Sequence, residues 1–143
     1  PKESEFQVIR KIRKSDSLKI NLLGRLSQEK IFELLLETDI FCTPSRTEAL
    51  GVANMEALIH KTPVVYSNTG GIPEVMDYGK NGFKAEPDNP DSLAAAIKEC
   101  ILNKEARITK SNNGYHFVKS KFNKDEMLSN FVKICNEVIA SSN

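Results

Sequence analysis

Two carboxylates stand eight residues apart, Glu48 and Glu56, in the stretch PSRTEALGVANMEALIHKTPVV (44–65). Glu56 is flanked by Val52, Ala53, Met55, Ala57, Leu58 and Ile59, which reads as a helix apolar nearly all round and therefore buried. An ionised carboxylate is costly in such a place unless it is paired or hydrogen-bonded. It can pair with a structural Arg or Lys, emerge at a helix edge, or serve a ligand. Glu48 falls in the loop before the helix, where the helix dipole alone would favour a negative charge. Between the two, a loop of small residues feeds the helix N-terminus. The backbone N–H groups of Leu50, Gly51 and Val52 would there suit a phosphate, and Gly51 lets the backbone come close.

Those residues need a frame to hold them. EFQVIRKIRKS (5–15) has helical spacing, and LKINLLG (18–24) reads as a buried strand. Ser27 is placed to cap a helix running to about residue 38, with Lys30 where a capping box would want Glu. DIFCTPS (39–45) is a second strand, 50–60 a helix, and TPVVYS (62–67) a third strand rich in β-branched residues. GGIPEVM turns into a short helix, and Asn81-Gly82 leads into a fourth strand, GFKAEP. Asn89 with Pro90 opens a helix, and two more follow at 105–121 and 124–140. Strands alternating with helices predict one α/β domain, a Rossmann-like three-layer fold with a parallel sheet and C-terminal helices. Ligands of such sheets sit at the carboxyl ends of strands, so the loops at 44–51 and 67–71 are expected to converge on one rim.

Composition sets the outer bounds. The 143 residues are 40% apolar and 27% charged, ordinary for a soluble globular domain. A net charge of +1 argues against a dedicated nucleic-acid binder. Cys42, Cys100 and Cys135 are odd in number and widely spaced, against a disulfide framework or zinc site and in favour of a reduced, cytoplasmic setting. Residues 1–30 carry eight Lys or Arg against four acids, and 102–124 carry six against Glu105. Solvated helix faces account for both; a peripheral contact with anionic lipid is the sharper alternative. His60 and His116 lie outside the expected rim, and no nucleophile–base pair is evident.

The run from PSRTEALGVANMEALIHKTPVV through YSNTGGIPEVMDYGKNGF resembles the donor-binding core of retaining glycosyltransferases of family 4. The likeness extends upstream through LLGRLSQEKIFELLLETDIFCTPS and downstream through NPDSLAAAIKECI, about 18–103 in all. It implies the C-terminal half of a two-domain (GT-B) enzyme, a hexosyltransferase that moves a sugar from a nucleotide diphosphate sugar to an acceptor hydroxyl with the anomeric configuration kept. It places Glu56 on the ribose hydroxyls, so that a diol would satisfy the carboxylate. Glu48, the catalytic candidate, would contact the transferred sugar. Backbone amides around Ala49, Leu50, Gly51 and Val52 would hold the diphosphate. Gly24, Arg25 and Leu26 would border the base, and Gly70 and Gly71 would line the cleft. Glu74 is assigned to capping local backbone. The donor would be of UDP or GDP type, with no metal and no further cofactor, in polysaccharide or glycolipid synthesis.

The departures are informative too. Ala49-Leu50 replace the usual aromatic, which would resize the sugar pocket, and Lys61 stands where Gly is usual, so the helix either ends in a left-handed residue or ends differently. Gly24-Arg25 and Lys30 imitate a diphosphate-clamping element by spacing, but DIFCTPS follows them directly, so they are not assigned to it. The resemblance thus puts the clamp and the acceptor-binding domain, with its acceptor sugar or glycolipid, outside these residues, leaving a single partial donor domain over 1–143. A non-catalytic nucleotide-binding or interaction module that retains the fold, and a doubly wound domain of unrelated function, are the competing readings.

Overall fold

The computed structural model describes residues 19–141. The expected helix at 5–15 and the first residue of the expected strand at 18–24 lie outside them. Within them the order is α1 (Gln28–Glu37), β1 (Phe41–Thr43), α2 (Val52–Ile59), β2 (Val64–Ser67), α3 (Ile72–Val75), a 3-10 turn (Asp77–Gly79), β3 (Phe83–Ala85), α4 (Pro90–Leu102), α5 (Lys104–Lys121) and α6 (Lys124–Ser141). Among the described residues no helix is long and apolar enough to cross a membrane.

The sheet is parallel, in the order β1-β2-β3, with Phe41 beside Val64 and Val65 beside Phe83. All four residues of β2 are buried, as a central parallel strand covered on both faces requires. Val64 and Tyr66 point to a core with Leu35, Ala57, Leu58, Ile72, Val75, Met76 and Val118, drawn from α1, α2, α3 and α5. Val65 points the other way, to Phe83, Ala85, Ala96 and Cys100, where α4 lies. Each fully buried large side chain of this kind contributes about 1.5–3 kcal/mol. The three-layer α/β architecture is as the sequence predicts.

One strand is a correction. Residues 19–26 form no strand, and Leu22 and Leu23 are more than half exposed. An apolar run becomes a strand only by pairing, and no described strand runs along it, so the described sheet has three strands rather than four.

Caps fix the helices that carry the site. Ser27 accepts a hydrogen bond from the Lys30 N–H at 3.4 Å, while the Lys30 ammonium turns to Glu33 at 2.7 Å. Asn89 caps α4 through the Ser92 N–H at 2.9 Å, with Pro90 at the first helical position. At the end of α2, Lys61 takes the left-handed conformation, φ 58°. Thr62 N–H then reaches the Ala57 carbonyl at 3.0 Å and Lys61 N–H the Leu58 carbonyl at 3.0 Å, the paired bonds of a Schellman motif. The Thr62 hydroxyl donates to the Leu35 carbonyl at 2.8 Å, tying this turn to the last residues of α1.

Candidate functional site

The loops after β1 and β2 interlock at the carboxyl end of the sheet. Gly71 N–H donates to the Ala49 carbonyl at 3.0 Å, and the Thr69 hydroxyl donates to the Arg46 carbonyl at 3.1 Å. Gly70, with φ +55°, lies so close to Glu48 that a Cβ there would meet its carbonyl oxygen. The expected convergence of 44–51 with 67–71 is therefore a direct backbone contact. It brings Glu48, Ala49, Gly70 and Gly71 together. The Glu48 side chain is exposed and accepts a hydrogen bond from the Ala49 N–H at 3.0 Å.

Helix α2 opens from this junction. Its N-cap is Gly51, buried and at φ +84°, a conformation that a side chain would strain. The N–H groups of Gly51, Val52 and Ala53 have no acceptor among the described residues. A helix N-terminus leaves such donors by construction, and here they coincide with the positive end of the dipole. Leu50 and Val52 stand exposed beside them, Val52 at 60%.

Glu56 departs from the sequence reading in two ways. It sits one turn into α2, because the helix begins at Val52 rather than Leu50, and it is half-buried rather than enclosed. The helix is not apolar all round in its packing: it buries only Asn54, Ala57 and Leu58. Glu56 is on a flank, and its carboxylate has no hydrogen bond or ion pair among the described residues. It opens onto a groove of about 550 Å³ with Gln28, Phe32, Met55, His60 and Lys119. Phe32 and His60 stack in its wall, ring centroids 4.8 Å apart, and His60 Nδ1 is held 2.7 Å from the Glu56 carbonyl. Gln28 follows closely on Gly24, Arg25 and Leu26, so that segment ends at the Glu56 groove. Leu26 is half-buried and Gly24 and Arg25 are exposed, with no hydrogen bond linking them to the interlocked loops.

The residue that the sequence reading passed over is Asn54. It is 1% exposed, and its Oδ1 accepts a hydrogen bond from the Thr43 hydroxyl at 2.7 Å. An Asn amid Val, Ala and Met on a helix was itself the signal: buried carboxamides persist only with partners. Glu74 is a smaller correction. Expected to cap local backbone, it is exposed, and no hydrogen bond to its carboxylate occurs among the described residues.

The other side of the strand ends is polar. A groove of about 220 Å³ is lined by Pro44, Arg46, Ser67, Glu86 and Asp88, and Arg46 pairs with Asp88 at 2.6 Å, both well exposed. In the core on the opposite face of β2, burial, with a smaller push from the Glu86 carboxylate, raises the Tyr66 phenol to about 12.

A sequence profile described as "Glycosyl transferases group 1" matches residues 2–117. The chain belongs to this family. Among relatives of this group 1 glycosyltransferase domain, an uncharacterized glycosyltransferase of Methanocaldococcus jannaschii is 34% identical over 119 residues, 83% of this chain and 34% of that protein. The chain thus spans about a third of the length of the curated relatives it matches first. A glycosyltransferase from Rickettsia africae superposes with TM-score 0.79 at 28% identity, over 93% of this chain and 35% of that one. HepE of Anabaena, solved in complex with UDP and glucose, superposes with TM-score 0.82 over 94% of this chain and 36% of its own; at 23% identity it shows the shared GT-B fold.

Proposed function

We propose that this chain is the donor-binding part of a retaining glycosyltransferase of family 4, a hexosyltransferase working in polysaccharide or glycolipid synthesis. The donor is a UDP- or GDP-type sugar, used without a metal. The observation that carries the reading is the junction of the β1 and β2 loops at the α2 N-terminus. It offers free amide donors at Gly51, Val52 and Ala53, with Glu48 on one side and the unpaired Glu56 one turn along on the other. The diphosphate seats on those amides, joined by Leu50 and by Ala49, whose N–H is freed as Glu48 turns from it to the transferred sugar; Glu56 accepts the ribose hydroxyls. Gly24, Arg25 and Leu26 border the base, and Gly70 and Gly71 close the floor. The UDP and glucose held by HepE support a nucleotide-sugar donor.

The demanding step is departure of the nucleotide diphosphate. Amide dipoles already aimed at the phosphates stabilise the charge that grows there, and one such donor is worth about 2.7–4 kcal/mol. The surface that binds the acceptor and the cationic clamp on the diphosphate belong to parts of the enzyme beyond these residues, so the 143-residue chain binds donor nucleotide without turning it over. Calorimetry with UDP, GDP and ADP tests this. One of the three should bind, and Glu56→Gln should weaken it by roughly tenfold or more, since a hydrogen bond to a charged acceptor is worth about 1.5–3 kcal/mol. Equal binding by wild type and Glu56→Gln would remove the ribose assignment, and sugar transfer at a full enzyme's rate would remove the division of labour.

A further inference from the structure

Asn54 is the third residue of α2, the position from which a side chain reaches back over the N-cap. Its carboxamide does so. Nδ2 lies 2.7 Å from where a Cβ on Gly51 would stand. The Thr43 hydroxyl, at the end of β1, donates to Oδ1 at 2.7 Å, and Nδ2 is the end of the amide that faces the N-cap. Nδ2 is left without an acceptor among the described residues, although the residue is 1% exposed. Unlike the Tyr66 hydroxyl, which is sealed and unpartnered, Nδ2 is not closed off. It stands with the unpaired N–H groups of Gly51, Val52 and Ala53, a set of donors with no acceptor supplied by the described residues.

We propose that Asn54 Nδ2 is a further donor to the diphosphate of the bound nucleotide, with Thr43 as the positioning residue that orients it. The inference rests on the donor-binding reading above and adds to it a side chain that binds phosphate oxygen. A neutral amide suits this place. Because Thr43 holds Oδ1, only the nitrogen can meet the anion, and an acid at the same position would present a like charge to it. A purely structural Asn54 would instead have its Nδ2 donors taken up by acceptors within the packed protein, as its Oδ1 is taken up by Thr43.

The test separates phosphate from nucleoside, using the nucleotide that wild type binds best, UDP for instance, and the matching nucleoside, uridine. Asn54→Asp should lower UDP affinity by a hundredfold or more and change uridine affinity, followed by saturation-transfer NMR, by less than twofold. Thr43→Val should lower UDP affinity several-fold with uridine unchanged, and Thr43→Ser should restore it. A folded Asn54→Asp that binds UDP as wild type does, or that loses UDP and uridine equally, overturns the inference. Should Asn54→Asp fail to fold, wild-type UDP affinity in Thr43→Val overturns it alone. A wild-type chain that binds none of UDP, GDP and ADP overturns the donor-binding reading itself, and this inference with it.

Discussion

The carbonyl oxygen of Glu48 occupies the space that a Cβ on Gly70 would need, and Gly70 holds φ +55° to make that approach. Gly70→Ala should therefore both strain the turn and push the β1 loop outward. Left-handed backbone costs a non-glycine residue about 1–2 kcal/mol, and forced overpacking adds about 1–3 kcal/mol. Urea unfolding should show a loss of roughly 2–5 kcal/mol. Nucleotide affinity should fall with it, because Glu48 and the α2 opening move as one.

Lys61 supplies a test of local strain. It adopts φ 58° at the end of α2 while its ammonium sits 4.9 Å from the centre of the Tyr115 ring. Lys61→Ala loses the cation–π contact and keeps the strain, so it should destabilise by about 0.5–1 kcal/mol. Lys61→Gly loses the same contact but relieves the backbone. It should be more stable than Lys61→Ala by about 1 kcal/mol in thermal or urea melts, in spite of glycine's greater freedom when unfolded.

Tyr66 gives a pH signature. Its hydroxyl is buried without a partner, and its phenol is raised to about 12 from an ordinary value of 10.0. Below pH ~10 both folded and unfolded chains keep the proton. Between pH ~10 and ~12 the unfolded chain releases it and the folded chain does not, so stability should fall as pH rises, by on the order of 2–3 kcal/mol. Tyr66→Phe should flatten that decline. At neutral pH it should be as stable as wild type or more so, since a buried donor left unsatisfied costs about 1–3 kcal/mol. A Tyr66→Phe chain with the wild-type alkaline profile would assign the decline to other groups.

Glu48 and Glu56 should separate by ligand. Glu48→Gln should leave UDP binding within about twofold and weaken UDP-glucose by roughly tenfold, the size of one charge-assisted hydrogen bond. Calorimetry with the two ligands decides it; equal effects on both would place Glu48 at the phosphates rather than at the sugar.

Much of this was legible because it is local. Ser27 and Asn89 cap, and Pro90 opens its helix, where their chemistry says they should, and the β-branched and aromatic VVY of β2 gives a strand buried on both faces. The meeting of the two rim loops followed from topology, since parallel strands deliver their loops to one end. Pairing and facing were not legible. LKINLLG has strand residues, but a strand depends on a neighbour that composition does not reveal. Glu56 looked enclosed because helix periodicity gives the width of an apolar face without its orientation, and the burial fell on Asn54 two positions away. The bond from Thr43 to Asn54 joins two elements, and a linear pattern carries no trace of it.

Helix α6 runs 18 residues without one buried side chain, and Met127, Phe131, Ile134 and Val138 are each more than half exposed. An isolated helix of that length is marginal in water. Its amides should consequently trade hydrogen for deuterium through local fraying, orders of magnitude sooner than those of β2, and a protease should nick this segment while the sheet is still intact.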